Sequence, residues 1–291
     1  MGAADVVPGV SGGTMAFILG IYADLIAAIK SFDSSWLLAF VRLDIRTVFC
    51  RPHFSFLIPL GLGLLSALLF FTRVIHLPGL LLEYPEQIYG LFFGLIVGSI
   101  FVLIKDMQGL KLKDYIMILA GVILGLIVFN LVPTQTPETA WFVFLSGALA
   151  ICAMILPGIS GSFILLILNK YTYIFNAIGY FKFSILLPFA LGAVTGLLLF
   201  SRVLSFLLSK YYRATILFIS GLLIASLYVI WPFQERVYAV VREKPRLISS
   251  TPMMPTELSD TVMVSFALLI CGLVIVLVIR QLGANKTVLV E

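Results

Sequence analysis

Charge is what this sequence has least of. Only 11% of its 291 residues are Asp, Glu, Lys or Arg, while 61% are hydrophobic. Mean hydropathy is +1.14. A water-soluble domain carries about a quarter charged residues, so a soluble globular core is excluded and a polytopic membrane protein is indicated. Histidine is nearly missing. His53 and His76 stand at opposite ends of one expected span, about 30 Å apart, too far to share a metal. The three cysteines, Cys50, Cys152 and Cys271, show neither metal-ligand spacing nor a paired framework. Cys152 and Cys271 lie in apolar runs, where cysteine serves as small hydrophobic filler. No metal and no cofactor are expected. The first residues lack the basic stretch that opens a secretory signal. The net charge of +5 forms no basic face with interleaved aromatics, so nucleic acid is not expected as a partner. Lys and Arg gather instead in loops, as beside anionic headgroups.

What the chain does have is a seven-residue stretch used twice. Near the start it reads Val7-Pro8-Gly9-Val10-Ser11-Gly12-Gly13, and in the middle Leu156-Pro157-Gly158-Ile159-Ser160-Gly161-Ser162. Proline removes a backbone donor, and glycine permits positive φ and close approach. Inside hydrocarbon such a break is tolerated only where it is buried in protein or lines a cavity. Small residues with free amides, followed at once by a helix, also suit an anion.

Taken in order, Thr14 to Ile29 reads as a half-helix of about 24 Å, followed by a polar loop from Lys30 to His53. Spans are expected at Phe54–Ile75, Ile88–Ile104, Tyr115–Val132, Ser184–Leu208, Ala214–Trp231 and Thr261–Ile279, with a second broken segment from Trp141 to Ile178. The polar stretch from Pro232 to Asp260 is the candidate for a small extramembrane element. Copy two of the motif follows a long apolar run, Trp141 to Ile155, whereas Met1 to Val6 alone precede copy one. A further segment upstream of Met1 is the favoured expectation.

The repeat extends beyond the motif. Phe54–Val74 aligns without gaps on Phe183–Val203 with 11 identities in 21 positions, and Val7–Tyr22 on Leu156–Tyr171 with 7 in 16. Pro59 matches Pro188, Gly63 matches Gly192, and Arg73-Val74 matches Arg202-Val203. The expectation is a single all-α membrane domain over 1–291. It divides into repeat 1 at about 1–132 and repeat 2 at about 138–281, each a broken segment plus three spans. If the broken segments are re-entrant hairpins, three intervening spans make the repeats inverted, so that they meet near the midplane. The hairpin arrangement places eleven Lys and Arg on one side. A spanning second segment would make the asymmetry larger still, and the two topologies stay open.

The hydroxyls Ser11, Thr14, Ser160 and Ser162 sit where new helices begin. They are either N-caps or, with Pro8, Gly9, Gly12, Gly13, Pro157, Gly158 and Gly161, parts of a phosphate site. Arg73 and Arg202 are either headgroup anchors that snorkel or inward-folding partners that hold a phosphate bidentately. Asp5 has no acid opposite it in copy two, where Met154 stands. It is either a cap or a group coupling transport to a proton or cation gradient.

The run Ala3-Ala4-Asp5-Val6-Val7-Pro8-Gly9-Val10-Ser11-Gly12-Gly13-Thr14, continued by Phe17-Ile18-Leu19-Gly20-Ile21-Tyr22, resembles the opening signature of the bacterial polyprenyl-phosphate transporter family. Leu156 to Ser162 is similar to that family's second signature. The resemblance covers nearly the whole chain. It implies a multi-pass protein of the bacterial cytoplasmic membrane. Such a protein returns undecaprenyl phosphate from the outer to the inner leaflet for envelope synthesis, with the lipid phosphate as substrate and membrane lipids as surroundings. Two alternatives stand beside it. An undecaprenyl-pyrophosphate phosphatase shares broken-helix repeats and a Pro-Gly-x-Ser motif, but its motif continues with arginine and is accompanied by glutamates, where Gly12 and Gly161 stand here. A transporter of another small anion is the other.

Overall fold

The computed structural model describes residues 1–7, 11–107, 109–241, 244–255, 257 and 259–287. Helices dominate, and six of them are long and apolar enough to cross a membrane. The first half holds a 3-10 turn at Ala4–Val6, then α1 (Gly12–Ile18), α2 (Tyr22–Lys30), α3 (Ser34–Val41), α4 (Ile45–Cys50) and α5 (Phe54–Leu69). A π-helical turn (Phe70–Val74) prolongs α5, and α6 (Leu77–Glu83), α7 (Pro85–Asp106) and α8 (Leu112–Phe129) follow. The second half holds α9 (Ala140–Ile155), α10 (Gly161–Ile167), α11 (Tyr171–Gly179), α12 (Phe183–Lys210), α13 (Tyr212–Val229) and α14 (Asp260–Thr287), with strands β1 (Gln234–Val241) and β2 (Lys244–Pro252) before α14.

Three local features depart from expectation. The stretch from Thr14 to Ile29 is two helices, because Gly20 adopts φ +72° and turns the chain after Leu19. Its counterpart beyond the second motif breaks likewise at Asn169, φ +50°. The polar loop from Lys30 to His53 folds into α3 and α4, each started by an aspartate. Asp33 accepts from the Trp36 amide at 2.9 Å and Asp44 from the Thr47 amide at 3.2 Å. The stretch from Pro232 to Asp260 contains an antiparallel hairpin with Gln234 opposite Pro252. The fold is therefore mostly helical rather than all-α, and carries one small two-stranded β element among the described residues.

The spans are assembled as parallel pairs with backbone against backbone. Between α7 and α14, a Cβ added at Gly94 would stand 1.9 Å from the Leu269 carbonyl oxygen, and one at Gly98 3.2 Å from that of Leu273. Between α8 and α13, Gly121 meets the Gly221 Cα at 3.0 Å and Gly125 the Ala225 side chain at 2.5 Å by the same measure. Between α9 and α12, Gly192 meets the Phe144 carbonyl at 1.8 Å and Gly196 the Ala148 backbone at 2.7 Å. Contacts four residues apart on one helix meet residues four apart on the other, in the same sense, so the partners run parallel. Small residues are what allow helices in lipid to approach this closely.

Because α9 and α12 run in the same direction, the chain from Leu156 to Lys182 has to run back between them. Contacts at the far end agree. The Thr134 amide donates to the Ile167 carbonyl at 3.0 Å, the Thr136 hydroxyl to that of Leu168 at 2.5 Å, and Lys170 Nζ to that of Thr136 at 2.7 Å. Lys170 is almost wholly buried, with its ammonium 5.8 and 5.6 Å from the Phe142 and Tyr173 ring centres, so ring faces and a carbonyl stabilise a cation that would otherwise be desolvated alone.

The core gathers on α13. Leu217, Leu222 and Leu223 are fully enclosed, and over half of that span's most apolar window is buried. At the opposite extreme, none of the corresponding window of Phe54–Val74 is buried. Gly63, the repeat partner of Gly192, has nothing within 4 Å of where a Cβ would be.

Candidate functional site

The two motifs fold to the same place. Ser11 precedes α1 in extended backbone, φ −115°, and its hydroxyl accepts from the Thr14 amide at 3.2 Å while lying 3.1 Å from the Thr14 hydroxyl. The Gly12 amide donates to the Asp5 carboxylate at 2.8 Å. The start of α1 thus already carries a negative group of the protein's own, placed where a helix N-terminus favours one. A Cβ at Gly12 would meet that carboxylate at 2.8 Å, and one at Gly13 would meet the Ile155 carbonyl at 2.6 Å. Ser11, Gly12, Gly13 and Thr14 are all buried.

The second break begins where α9 ends. Ile155 leaves a carbonyl without a helical partner, and the Tyr22 hydroxyl donates to it at 3.2 Å. Pro157 and Gly158 follow, both buried. Gly158 has φ +93°, a conformation that only glycine adopts without strain, and packs against the Leu222 carbonyl and Ser226 of α13. Its amide donates to the Thr14 hydroxyl at 2.9 Å. A hydroxyl from one motif therefore satisfies a backbone donor freed by the other.

Of the four hydroxyls singled out from sequence, two are sealed and two are reachable. Ser160 is half-buried and Ser162 exposed, and their oxygens lie 2.7 Å apart. Gly161 sits with its Cα against the Ala150 carbonyl, which presses α10 onto α9. Pro8 and Gly9 lie outside the described residues. Arg73, in the π-helical turn, and Arg202, in α12, are exposed. The structure thus brings together Asp5, Ser11, Gly12, Gly13, Thr14, Pro157 and Gly158, with Ser160, Gly161 and Ser162 alongside.

Sequence reasoning passed over Tyr22 and Lys170. Tyr22 is the last identity of the motif alignment, with Tyr171, and that was a usable signal. Lys170 aligns with Ile21, and nothing in its neighbourhood marked it as buried. A further pair it missed is Arg213 with Asp114, joined at 2.7 Å at the starts of α13 and α8, where it clips those parallel partners together.

With this geometry in view, comparison with known proteins is decisive at the level of family. The sequence matches the description "Undecaprenyl phosphate translocase-like" over residues 1–248. The chain belongs to that family. Among its relatives, a polyprenyl-phosphate transporter of Vibrio cholerae serotype O1 is 42% identical over 235 residues, covering 81% of this chain and 76% of the relative. A polyprenyl-phosphate transporter of Staphylococcus aureus is 32% identical over 253 residues, covering 80% and 83%. No solved structure matches the chain. The family match embraces both motifs and every span before α14, so the whole meeting point of the two breaks lies inside the region shared with the family.

Proposed function

We propose that this chain is a lipid flippase that carries undecaprenyl phosphate from the outer to the inner leaflet of the bacterial cytoplasmic membrane, returning the carrier for envelope synthesis. The observation that carries the reading is the joining of two helix breaks by the Gly158 amide and the Thr14 hydroxyl inside an apolar helix assembly. The family and the names of the two relatives point the same way.

A doubly ionisable phosphate in bare hydrocarbon would face a barrier of tens of kcal/mol on an idealised Born estimate. The protein has only to shelter that head in a small polar space while the tail stays in lipid. In this reading the head sits at the breaks. Ser160 and Ser162 are the first hydroxyls to meet it, and Ser11, Gly12, Gly13 and Thr14 form the floor behind them. Arg73 and Arg202 recruit the phosphate from either surface by turning inward, as long arginine side chains can. Asp5, holding the Gly12 amide, is the group through which a proton or cation gradient would act, since its carboxyl occupies the place that favours the anion.

The topology we infer is a pair of inverted repeats, each opening with a re-entrant hairpin. The parallel pairing of α9 with α12 supports it. So does the exchange of equivalent helices between the pairs α7·α14 and α8·α13, as a pseudo-twofold axis in the membrane plane requires. This topology gathers Lys30, Arg42, Arg46, Arg51, Lys105, Lys111, Lys113, Lys210, Arg213, Arg280 and Lys286 on one side. By the positive-inside tendency that side is cytoplasmic. The two breaks then approach from opposite surfaces, and transport proceeds by alternating access.

The test is leaflet-resolved labelling of undecaprenyl phosphate in cells that carry wild type, no protein, or a Ser160→Ala/Ser162→Ala variant shown to reach the membrane. Accumulation of outer-leaflet lipid without the protein and in the variant is the expected result. Equal distribution with and without the protein would remove the flippase reading. A normal distribution in the variant alone would move the head-group site elsewhere.

A further inference from the structure

The segment between α2 and α5 carries apolar surface that the head-group site does not use. Helices α3 and α4 fold on each other as a helical hairpin, turned by Leu43 at φ +55°. The Trp36 indole donates to the Val48 carbonyl at 3.2 Å, and Arg51 Nε donates to the Asp33 carboxylate at 2.9 Å, which closes the base. Even so, Leu37, Phe40, Val41, Leu43, Ile45 and Phe49 are each 56–81% exposed. Large apolar side chains exposed singly need no explanation, but six in one short hairpin mark an interaction surface. With 8 and 6 residues, the two helices are about 12 and 9 Å long. Neither crosses hydrocarbon about 30 Å thick.

Continuity and charge together identify the partner. Phe40 stacks on Trp36 at 5.7 Å, Trp36 meets Phe32 at 5.0 Å, and Phe32 and Phe49 meet Phe54 at 6.2 and 6.1 Å. Phe54 is the first residue of α5, a span with none of its apolar window buried. The rings thus join the apolar surface of the hairpin to the lipid-facing surface of α5. Both aspartates are engaged within the hairpin, Asp33 by Arg51 and Asp44 by the Thr47 hydroxyl at 2.7 Å. Arg42 and Arg46, exposed beside the apolar residues, are paired with no carboxylate among the described residues. We propose that α3 and α4 form a membrane-surface anchor, seated in the headgroup–acyl boundary of the leaflet where α2 ends and α5 begins. Phe40, Leu43, Ile45 and Phe49 enter that boundary by about 5–10 Å, and Arg42 and Arg46 bind the phosphates of anionic phospholipids. Aromatic and aliphatic groups beside arginine are the composition of helices that lie in this plane. The anchor fixes the depth at which α2 leaves the bilayer and α5 enters it, whichever lipid the chain carries.

The test uses the full chain, with Cys50→Ala, Cys152→Ala and Cys271→Ala, in phosphatidylcholine vesicles with and without phosphatidylglycerol. Spin labels on Leu43→Cys and Phe49→Cys are compared with one on Leu191→Cys, at an exposed position of α12, and with the same label free in water. Collision with oxygen reports lipid, and collision with a neutral nickel chelate reports water. At Leu43 and Phe49 the oxygen-to-nickel ratio should exceed that of the free label by about fivefold or more, approaching the ratio at Leu191. Phosphatidylglycerol should raise it about twofold further, and Arg42→Gln/Arg46→Gln should lose that rise. A ratio equal to that of the free label overturns the anchor. Shielding from both reagents also overturns it, and assigns the surface to protein, such as a second copy of the chain. An undiminished response to phosphatidylglycerol in the double variant overturns the role of the two arginines. All four substituted positions are exposed, and thermal melting of each variant checks that it folds.

Discussion

The backbone amide of Gly158 donates to the hydroxyl of Thr14 at 2.9 Å, although 144 positions separate the two residues. This bond makes a single centre of two motifs that each, alone, would be a broken helix end. Thr14→Val keeps the shape of the side chain but leaves that buried amide without an acceptor, a loss of about 1–3 kcal/mol. The variant should melt at lower temperature in detergent and transport more slowly, and Thr14→Ser should recover most of both. Equal melting of Val and Ser variants would show that the bond contributes nothing.

The glycine contacts allow a paired test within one protein. Gly192→Ala drives a Cβ to 1.8 Å from the Phe144 carbonyl oxygen and should destabilise the α9·α12 pair by about 1–3 kcal/mol or more. Its repeat partner Gly63 faces open space, so Gly63→Ala should be neutral or slightly stabilising, by up to about 1 kcal/mol. Thermal melting of the two purified variants settles the matter, and matched losses would contradict the packing described.

Asp5 separates capping from coupling. Asp5→Asn retains an oxygen for the Gly12 amide but not the charge, whereas Asp5→Ala retains neither. If Asp5 couples transport, the Asn variant should melt within a few degrees of wild type and lose the response of vesicle uptake to an imposed proton or cation gradient. The Ala variant should lose both. A full gradient response in Asp5→Asn would leave Asp5 as a cap only.

Outside the membrane, the Arg51 guanidinium and the Trp36 amide hold the Asp33 carboxyl at about 2, below its ordinary 3.8. A depressed carboxylate contributes stability above its unfolded value and loses it as pH falls through the folded one. The segment carrying α3 and α4 should therefore stay protected above about pH 4 and loosen between about pH 4 and pH 2. Hydrogen exchange of residues 34–50 would report it, and Arg51→Ala should move the loosening to higher pH. The pair is exposed and its effect local.

Much of this was legible in the sequence, and for a physical reason. A membrane span has to satisfy its backbone internally, so apolar length alone placed the six long helices within a few residues. The breaks were equally visible, since Pro157-Gly158 cannot continue a helix. Shorter turns were not. Gly20 and Asn169 interrupt helices by local φ, which an apolar run does not announce. The β hairpin escaped because its strands are polar and isolated. That Ser11 and Thr14 would be sealed, with Ser160 and Ser162 reachable, depends on Asp5 and Tyr22 folding over one copy. Arg73 and Arg202 were singled out by register, and register says nothing about which way a long side chain leans.

The glycine seams have a mechanical consequence. Where a carbonyl oxygen rests directly on a bare Cα, there is no side-chain cushion to shear, and slipping one helix along the other by a residue drives that oxygen into a methyl or larger group. The pairs α7·α14, α8·α13 and α9·α12 are therefore locked in register along their length rather than packed as separate rods. Among the six long spans α5 takes part in none of the three pairs, and its close backbone contact is with Gly2, whose added Cβ would stand 2.5 Å from the Leu64 carbonyl oxygen.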